Sequence, residues 1–189
     1  MLVNKANKYA RDVVSGRVDA CIYVRQACQR HLDDLQKQKA QRFPYRFDRE
    51  KGEKICQFAQ NMVHVKGKWA GEKMVLQPWQ CFCLAVPFGW VRKSDGMRRF
   101  REMYLEIPRK NGKSQIGAII GNYMLAADGE EGSEVYSGAT TENQAWEVFR
   151  PAKLMAMRSP GFKEFFGVEP GTKIGRASCR ERVSISVVA

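Results

Sequence analysis

The run MYLEIPRKNGKSQIGAIIGNYMLA, Met103 to Ala126, constrains this chain more than any other stretch. Tyr104, Leu105 and Ile107 are strand formers, and Pro108 ends their run. A basic loop follows, then the apolar helical pattern QIGAIIGNYMLAA. A strand, a loop and a helix start in that order aim backbone N–H groups at an anion, with the helix dipole behind them. The motif G-x-x-x-x-G-K-[ST] cradles nucleotide phosphates in this setting. Its Lys reaches the β- and γ-phosphates, and its hydroxyl binds Mg²⁺. Gly112, Lys113 and Ser114 supply the last three parts, while Ile107 stands where the first glycine belongs. Arg109 and Lys110 add charge that can neutralise phosphate or respond to the γ-phosphate, and Asn111 completes the loop. The alternative is a basic turn in which Gly-Lys-Ser is incidental.

Downstream, DGEEGS reads as a turn and EVYSGA as a second strand. TENQAWEVFRPAKLMAM then opens a helix that Thr140 or Thr141 can cap, with Pro151 as an expected kink. The order β-loop-α-turn-β-α predicts parallel strands joined by crossover helices, an α/β core. Upstream, the first forty or so residues read as helical, with Gly16 separating a short helix from a longer one. His31 lies on the apolar stripe of the longer helix and reads as a satisfied core or boundary histidine. RFPYRFD is expected to be a loop, because Pro44 breaks the helix. A helix resumes through Ile55, Phe58, Ala59 and Met62. VKGKWAGEKMVL has the glycine spacing of a turn or short hairpin, and QPWQCFCLAVPFGWV is expected to be helical until Pro87.

With 189 residues the chain is long enough for one domain of ordinary size, and its net charge of +12 points to a polyanionic partner, most simply nucleic acid. Six cysteines sit in a sequence whose start has no apolar leader core, and they read as reduced thiols rather than a disulfide framework. Cys81 and Cys83 have no second pair at zinc-site spacing, so buried free thiols are the expected state. No apolar run reaches the roughly 18 residues needed to span a bilayer.

LEIPRKNGKS, followed by EVYSGATTENQAWEVF, resembles the large terminase subunit of tailed bacteriophages, in the branch of head-to-tail virions and prophages. KYARDVVSG, CQRHLDDL, LQPWQCFCLAVPFGW and RRFREMYLEIPRKNGKS fall in the same order, so the resemblance covers about Lys8 to Gly161. It implies a P-loop NTPase of the helicase-like, additional-strand type, a parallel sheet with flanking helices, preceded by a helical N-terminal segment. An RNase H-like nuclease domain follows in the family. The implied activity is ATP-driven packaging of double-stranded DNA into procapsids, with the nuclease cutting concatemers. Terminase loops commonly lack the first glycine, which makes Ile107 expected.

Carried onto this sequence, Lys113 and Arg109 would be the catalytic cations, Arg109 as a candidate γ-phosphate sensor. Gly112, Lys113, Ser114, Asn111 and Lys110 would hold ATP, and Ser114 would meet the nucleotide's Mg²⁺. Gln80 would contact adenine, since an amide matches adenine's donor and acceptor edge. Pro78 and Trp79 would shape that wall, with core packing as the other role for the indole ring. The implied partners are DNA of any sequence, a small terminase subunit and a portal protein, in an oligomeric ring within the bacterial host cytoplasm and away from membranes.

Two departures qualify the resemblance. No apolar strand ends in Asp-Glu, since the acids after Met157 are Glu164, Glu169 and Glu181, and no nuclease carboxylate cluster follows. The expected organisation is a helical region over 1–70, a partial P-loop core over 71–173 and an atypical tail over 174–189. That tail, ending VSISVVA, is either foreign to the gene or a true strand after a surface loop. The expectation is a truncated ATPase fragment that binds nucleotide weakly, hydrolyses it poorly and is inactive as a motor. A helicase-like DNA-dependent ATPase and a non-enzymatic basic DNA-binding module are the alternatives.

Overall fold

Leu2, Val3, Ala6, Ala10 and Val13 recur at helical spacing and are all buried, which makes the N-terminal segment an amphipathic helix, α1 (Leu2–Val14). The computed structural model describes residues 1–130, 132–170 and 174–176. Gly16, at φ 79°, takes the left-handed turn after α1 that an L side chain resists. Then come α2 (Ile22–Lys37), β1 (Tyr45–Phe47), α3 (Arg49–Asn61), α4 (Pro78–Gly89) and β2 (Trp90–Arg92). The chain divides into two compact units. The first holds Met1–Phe58 and Val75–Met103; the second holds Ala59–Met74 and the described residues from Tyr104 onward.

In the first unit α1 packs on α2 and α4. Glu53 accepts from the backbone N–H groups of Leu2 and Val3, both at 2.9 Å, which satisfies donors at the start of α1. His31 on α2 is 2% exposed and fully engaged: Trp90 Nε1 donates to its Nδ1 at 3.0 Å, and its Nε2 meets Asn7 Oδ1 at 2.8 Å. These partners select the neutral ring with the proton on Nε2. The expected core histidine is therefore what the structure contains. Arg99 pairs with buried Asp34 at 2.6 Å and lies over the rings of Tyr45 and Phe100. Among the cysteines described, Cys28, Cys56 and Cys81 are buried free thiols, and burial pushes Cys28 up to about 11.

Two expectations for this region change. The stretch read as a loop contains β1, which pairs antiparallel with β2 in the register Tyr45↔Arg92, Arg46↔Val91, Phe47↔Trp90. Pro44 lies just outside β1, and its carbonyl accepts from Lys93 at 2.8 Å. α4 also runs past Pro87 to Gly89. Pro87 cannot donate to the Cys83 carbonyl and its ring crowds that carbonyl, yet the helix continues only two residues beyond it.

Gly89 sits where β1 crosses the end of α4. A Cβ there would stand 2.5 Å from Phe47 Cε2, 2.8 Å from Phe47 Cζ and 3.2 Å from the Asp48 carbonyl. Gly89→Ala is therefore expected to destabilise the chain by about 1–3 kcal/mol through overpacking. Urea unfolding with a lowered midpoint and unchanged slope would confirm it, and a midpoint equal to wild type would refute it.

The second unit begins with a short hairpin. Val63 bridges Lys73, His64 N–H donates to the Glu72 carbonyl at 2.8 Å, and Met74 N–H donates to the Met62 carbonyl at 2.9 Å. Gly67 and Gly71 turn it at positive φ, as the glycine spacing predicted. α5 (Lys113–Ala126) and α6 (Glu142–Arg158) pack together, and Asn122 Nδ2 donates to the Ala152 carbonyl at 3.0 Å. Gly117 allows the close approach, since a Cβ there would meet Val148 at 3.2 Å. Thr141 caps α6, accepting from Gln144 N–H at 3.3 Å. A short α7 (Phe162–Phe166) leads to β3 (Val168–Pro170), antiparallel to β4 (Ile174–Arg176).

The fold is mixed helix and strand, but no parallel sheet is present among the described residues; both sheets are two-stranded and antiparallel. The segments expected to be parallel strands, Arg101–Pro108 and Glu134–Ala139, run without a ladder. They keep the strand alternation: Leu105 and Ile107 are half-buried while Tyr104 and Glu106 are exposed, and Val135 is half-buried beside exposed Tyr136. Local sequence supplies alternation, whereas a ladder needs a second strand's N–H and C=O groups in register. Most of the atypical tail, with Cys179, Glu181 and VSISVVA, lies outside the described residues.

Candidate nucleotide-binding loop

Residues 108–112 connect the extended Leu105–Ile107 segment to α5. Two of them are left-handed: Lys110 at φ 69° and Gly112 at φ 80°. Lys110 is the one non-glycine residue with positive φ among the described residues, a conformation that costs an L residue roughly 1–2 kcal/mol. Strain of this kind collects where a loop must hold a functional shape. Left-handed turn residues build nests, concavities whose backbone N–H groups converge on an anion. Asn111 braces the loop from within, donating from Nδ2 to the carbonyls of Pro108 and Arg109 at 3.2 and 3.3 Å.

Gly112 is the N-cap of α5, and Lys113, Ser114 and Gln115 form its first turn. The N–H groups of a first turn have no intrahelical acceptor. Acids are favoured at this positive end of the helix dipole, yet α5 has none in its first turn. Instead Arg109, Lys110 and Lys113 place three cations around it. That charge arrangement disfavours the empty site and favours a polyanion held by backbone N–H groups and lysine together.

Gly112, Lys113 and Ser114 are half-buried, and residues 108–111 are exposed, so the loop is both anchored and reachable. Ser114 places a hydroxyl on the second residue of the helix. No cluster of three or more His, Cys, Asp or Glu side chains able to hold a metal stands among the described residues.

The structure brings Arg109, Lys110, Asn111, Gly112, Lys113 and Ser114 together in this one loop. Gln80 lies in the first turn of α4 in the first unit, where its Oε1 accepts from Gln77 N–H at 2.9 Å. It therefore closes a capping box there. Trp79 is half-buried. Sequence reasoning missed His64, whose Nδ1 lies 3.3 Å from Gln115 Nε2 in the first turn of α5. Only the hairpin was visible in the glycine spacing, and nothing local pairs it with α5.

A basic loop with two left-handed residues at a helix start, in a mixed helix-and-strand chain, defines the class of candidate site. The family described as "Terminase large subunit, ATPase domain" matches residues 78–184, and the chain belongs to that family. Membership of an ATPase-domain family implies nucleotide binding. The "Terminase, large subunit" of Enterobacteria phage HK97 is 30% identical over 126 residues, which is 65% of this chain and 24% of that protein. The chain thus spans about a quarter of that relative's length. No solved structure matches it. No helix among the described residues is long and apolar enough to cross a membrane.

Proposed function

We propose that this chain is the ATP-binding part of a viral DNA-packaging motor, and that Pro108–Ser114 is its phosphate loop. The observation that carries the reading is the loop itself: left-handed Lys110 and Gly112, three cations and no acid, at the start of α5 in a chain of the terminase family. Lys113 holds the β- and γ-phosphates, Ser114 meets Mg²⁺, Gly112 permits the turn and Arg109 senses the γ-phosphate. Lys110 adds charge, Asn111 shapes the loop, and Gln80 contacts adenine. The finer fold is a P-loop core in which Leu105–Ile107 and Val135–Ser137 are parallel strands of a larger sheet. The organisation runs from a helical region over 1–70 to a partial core over 71–173 and a distinct tail over 174–189. The setting is the host cytoplasm, with a small terminase subunit and a portal protein as further partners of the ring.

Titration with a fluorescent ATP analogue tests the reading, with Lys113→Ala as the control. Equal binding by both proteins would make Gly-Lys-Ser incidental. The sequence carries no apolar run ending in Asp-Glu, so hydrolysis by the chain is expected to be slow even where binding is intact. Robust DNA-stimulated turnover by the purified chain would overturn that part.

The net charge of +12 supports duplex DNA as the second ligand. A packaging motor grips any sequence, so its contacts are to phosphates. Affinity for two unrelated duplexes is expected to be equal and to fall together by at least about tenfold between 50 and 200 mM salt. Affinity that is indifferent to salt, or differs widely between the duplexes, would count against DNA gripping.

A further inference from the structure

We propose that His64 is a positioning residue for the phosphate loop, holding the first turn of α5 through Gln115. The inference rests on the reading that this loop binds ATP. His64 is far from the loop in sequence, yet Gln115 Nε2 stands 3.3 Å from its Nδ1. Gln115 directly follows Lys113 and Ser114, so a bond to its side chain restrains the rotation of the turn that carries both.

His64 is itself held rigidly. Its N–H donates to the Glu72 carbonyl and its carbonyl accepts from Gly71 N–H, both at 2.8 Å. The neighbouring Val63 N–H donates to Ser159 Oγ at 3.2 Å, and Ser159, at the end of α6, is 5% exposed. Ser159 Oγ also meets Met62 Sδ at 3.6 Å. The hairpin is therefore tied to the end of α6 at its base, and from that anchored strand His64 reaches the first turn of α5. A half-buried histidine with its backbone locked on both sides is a fixed post, whereas a surface histidine would move with its side chain. With the Gln115 amide nitrogen donating, His64 Nδ1 is the acceptor.

This geometry separates a positioning role from simple packing. Asn places Oδ1 as many bonds from Cα as His places Nδ1, so His64→Asn retains the acceptor while losing ring volume. His64→Leu retains volume and loses the acceptor. The measurement is Mg²⁺–ATP affinity of the full chain by titration calorimetry, with circular dichroism confirming that each variant is folded. His64→Leu is expected to weaken binding about five- to tenfold, and His64→Asn to stay within about twofold of wild type. Gln115→Ala, a helix-compatible change on the other partner, is expected to match His64→Leu, and the double variant is expected to add nothing further. Wild-type affinity in folded His64→Leu or in Gln115→Ala, while Lys113→Ala has lost binding, overturns the positioning role and leaves the nucleotide reading standing. Equal losses in His64→Asn and His64→Leu also overturn it, since retaining the acceptor would then make no difference. Unaltered binding in Lys113→Ala, or no binding by wild type, removes the nucleotide reading and this role with it.

Discussion

Lys113→Ala is expected to weaken ATP-analogue binding about 10- to 150-fold while raising the melting temperature of the nucleotide-free protein. Both effects come from one charge. Lys113 is the first residue of α5, at the positive end of its dipole, with Arg109 and Lys110 close by in the loop and no acid in the first turn. Without an anion this is self-repulsion; removing one cation is expected to add about 0.3–1 kcal/mol of stability. Ala is also the strongest helix former, so the backbone loses nothing. With an anion the sign reverses. A charge-assisted bond from lysine to phosphate contributes roughly 1.5–3 kcal/mol, so its loss weakens binding about 10- to 150-fold. Thermal melts with and without Mg²⁺–ATP read both effects together. A variant that melts lower than wild type without nucleotide, or one that ATP stabilises equally, would show that Lys113 does not face a phosphate site.

Acidification is expected to cost the protein up to about 3 kcal/mol through His31. Burial drives its pKa from 6.5 down to about 4, against a smaller opposing pull from Asp34. An unfolded chain takes up a proton on this ring near pH 6.5, whereas the folded chain does so only near 4. Between those values the unfolded state binds more protons, so stability is complete above about pH 6.5, falls as pH drops toward 4, and levels below it. The neutral ring accepts from Trp90 and meets Asn7, and a second ring proton on Nδ1 would face the Trp90 N–H. His31→Leu is expected to flatten that part of the pH profile. It also costs about 2–4 kcal/mol at pH 7, because buried Trp90 Nε1 and Asn7 Oδ1 lose their partner. Urea unfolding at several pH values between 4 and 8 measures both. A His31→Leu profile with the same slope as wild type would assign the acid sensitivity to other groups.

The candidate loop was legible because it is local. Gly112, Lys113 and Ser114 are adjacent, the helix after them follows from the apolar spacing of residues 116–126, and the family motifs lie in one linear order. The left-handed Gly112 is the kind of conformation glycine is chosen for. Left-handed Lys110 was not legible, since nothing in a lysine announces positive φ. Either threonine before α6 could cap it on the sequence, and the structure gives Thr141 the cap.

By itself the sequence determined the helices, the loop, the basic charge and the family, since each depends on neighbours along the chain or on linear motif order. Tertiary structure decided what depends on distant partners. β1 exists because Trp90–Arg92 lies alongside it, although Pro44 and the aromatics read as a loop. The Tyr104–Ile107 and Val135–Ser137 stretches kept their alternation but have no ladder, because a strand is completed only by another strand. Gln80 closes a cap through a bond to Gln77 that its motif did not announce. His64 reaches Gln115 because a hairpin folds back from a point about fifty residues upstream, and contacts across such separations carry no local signal.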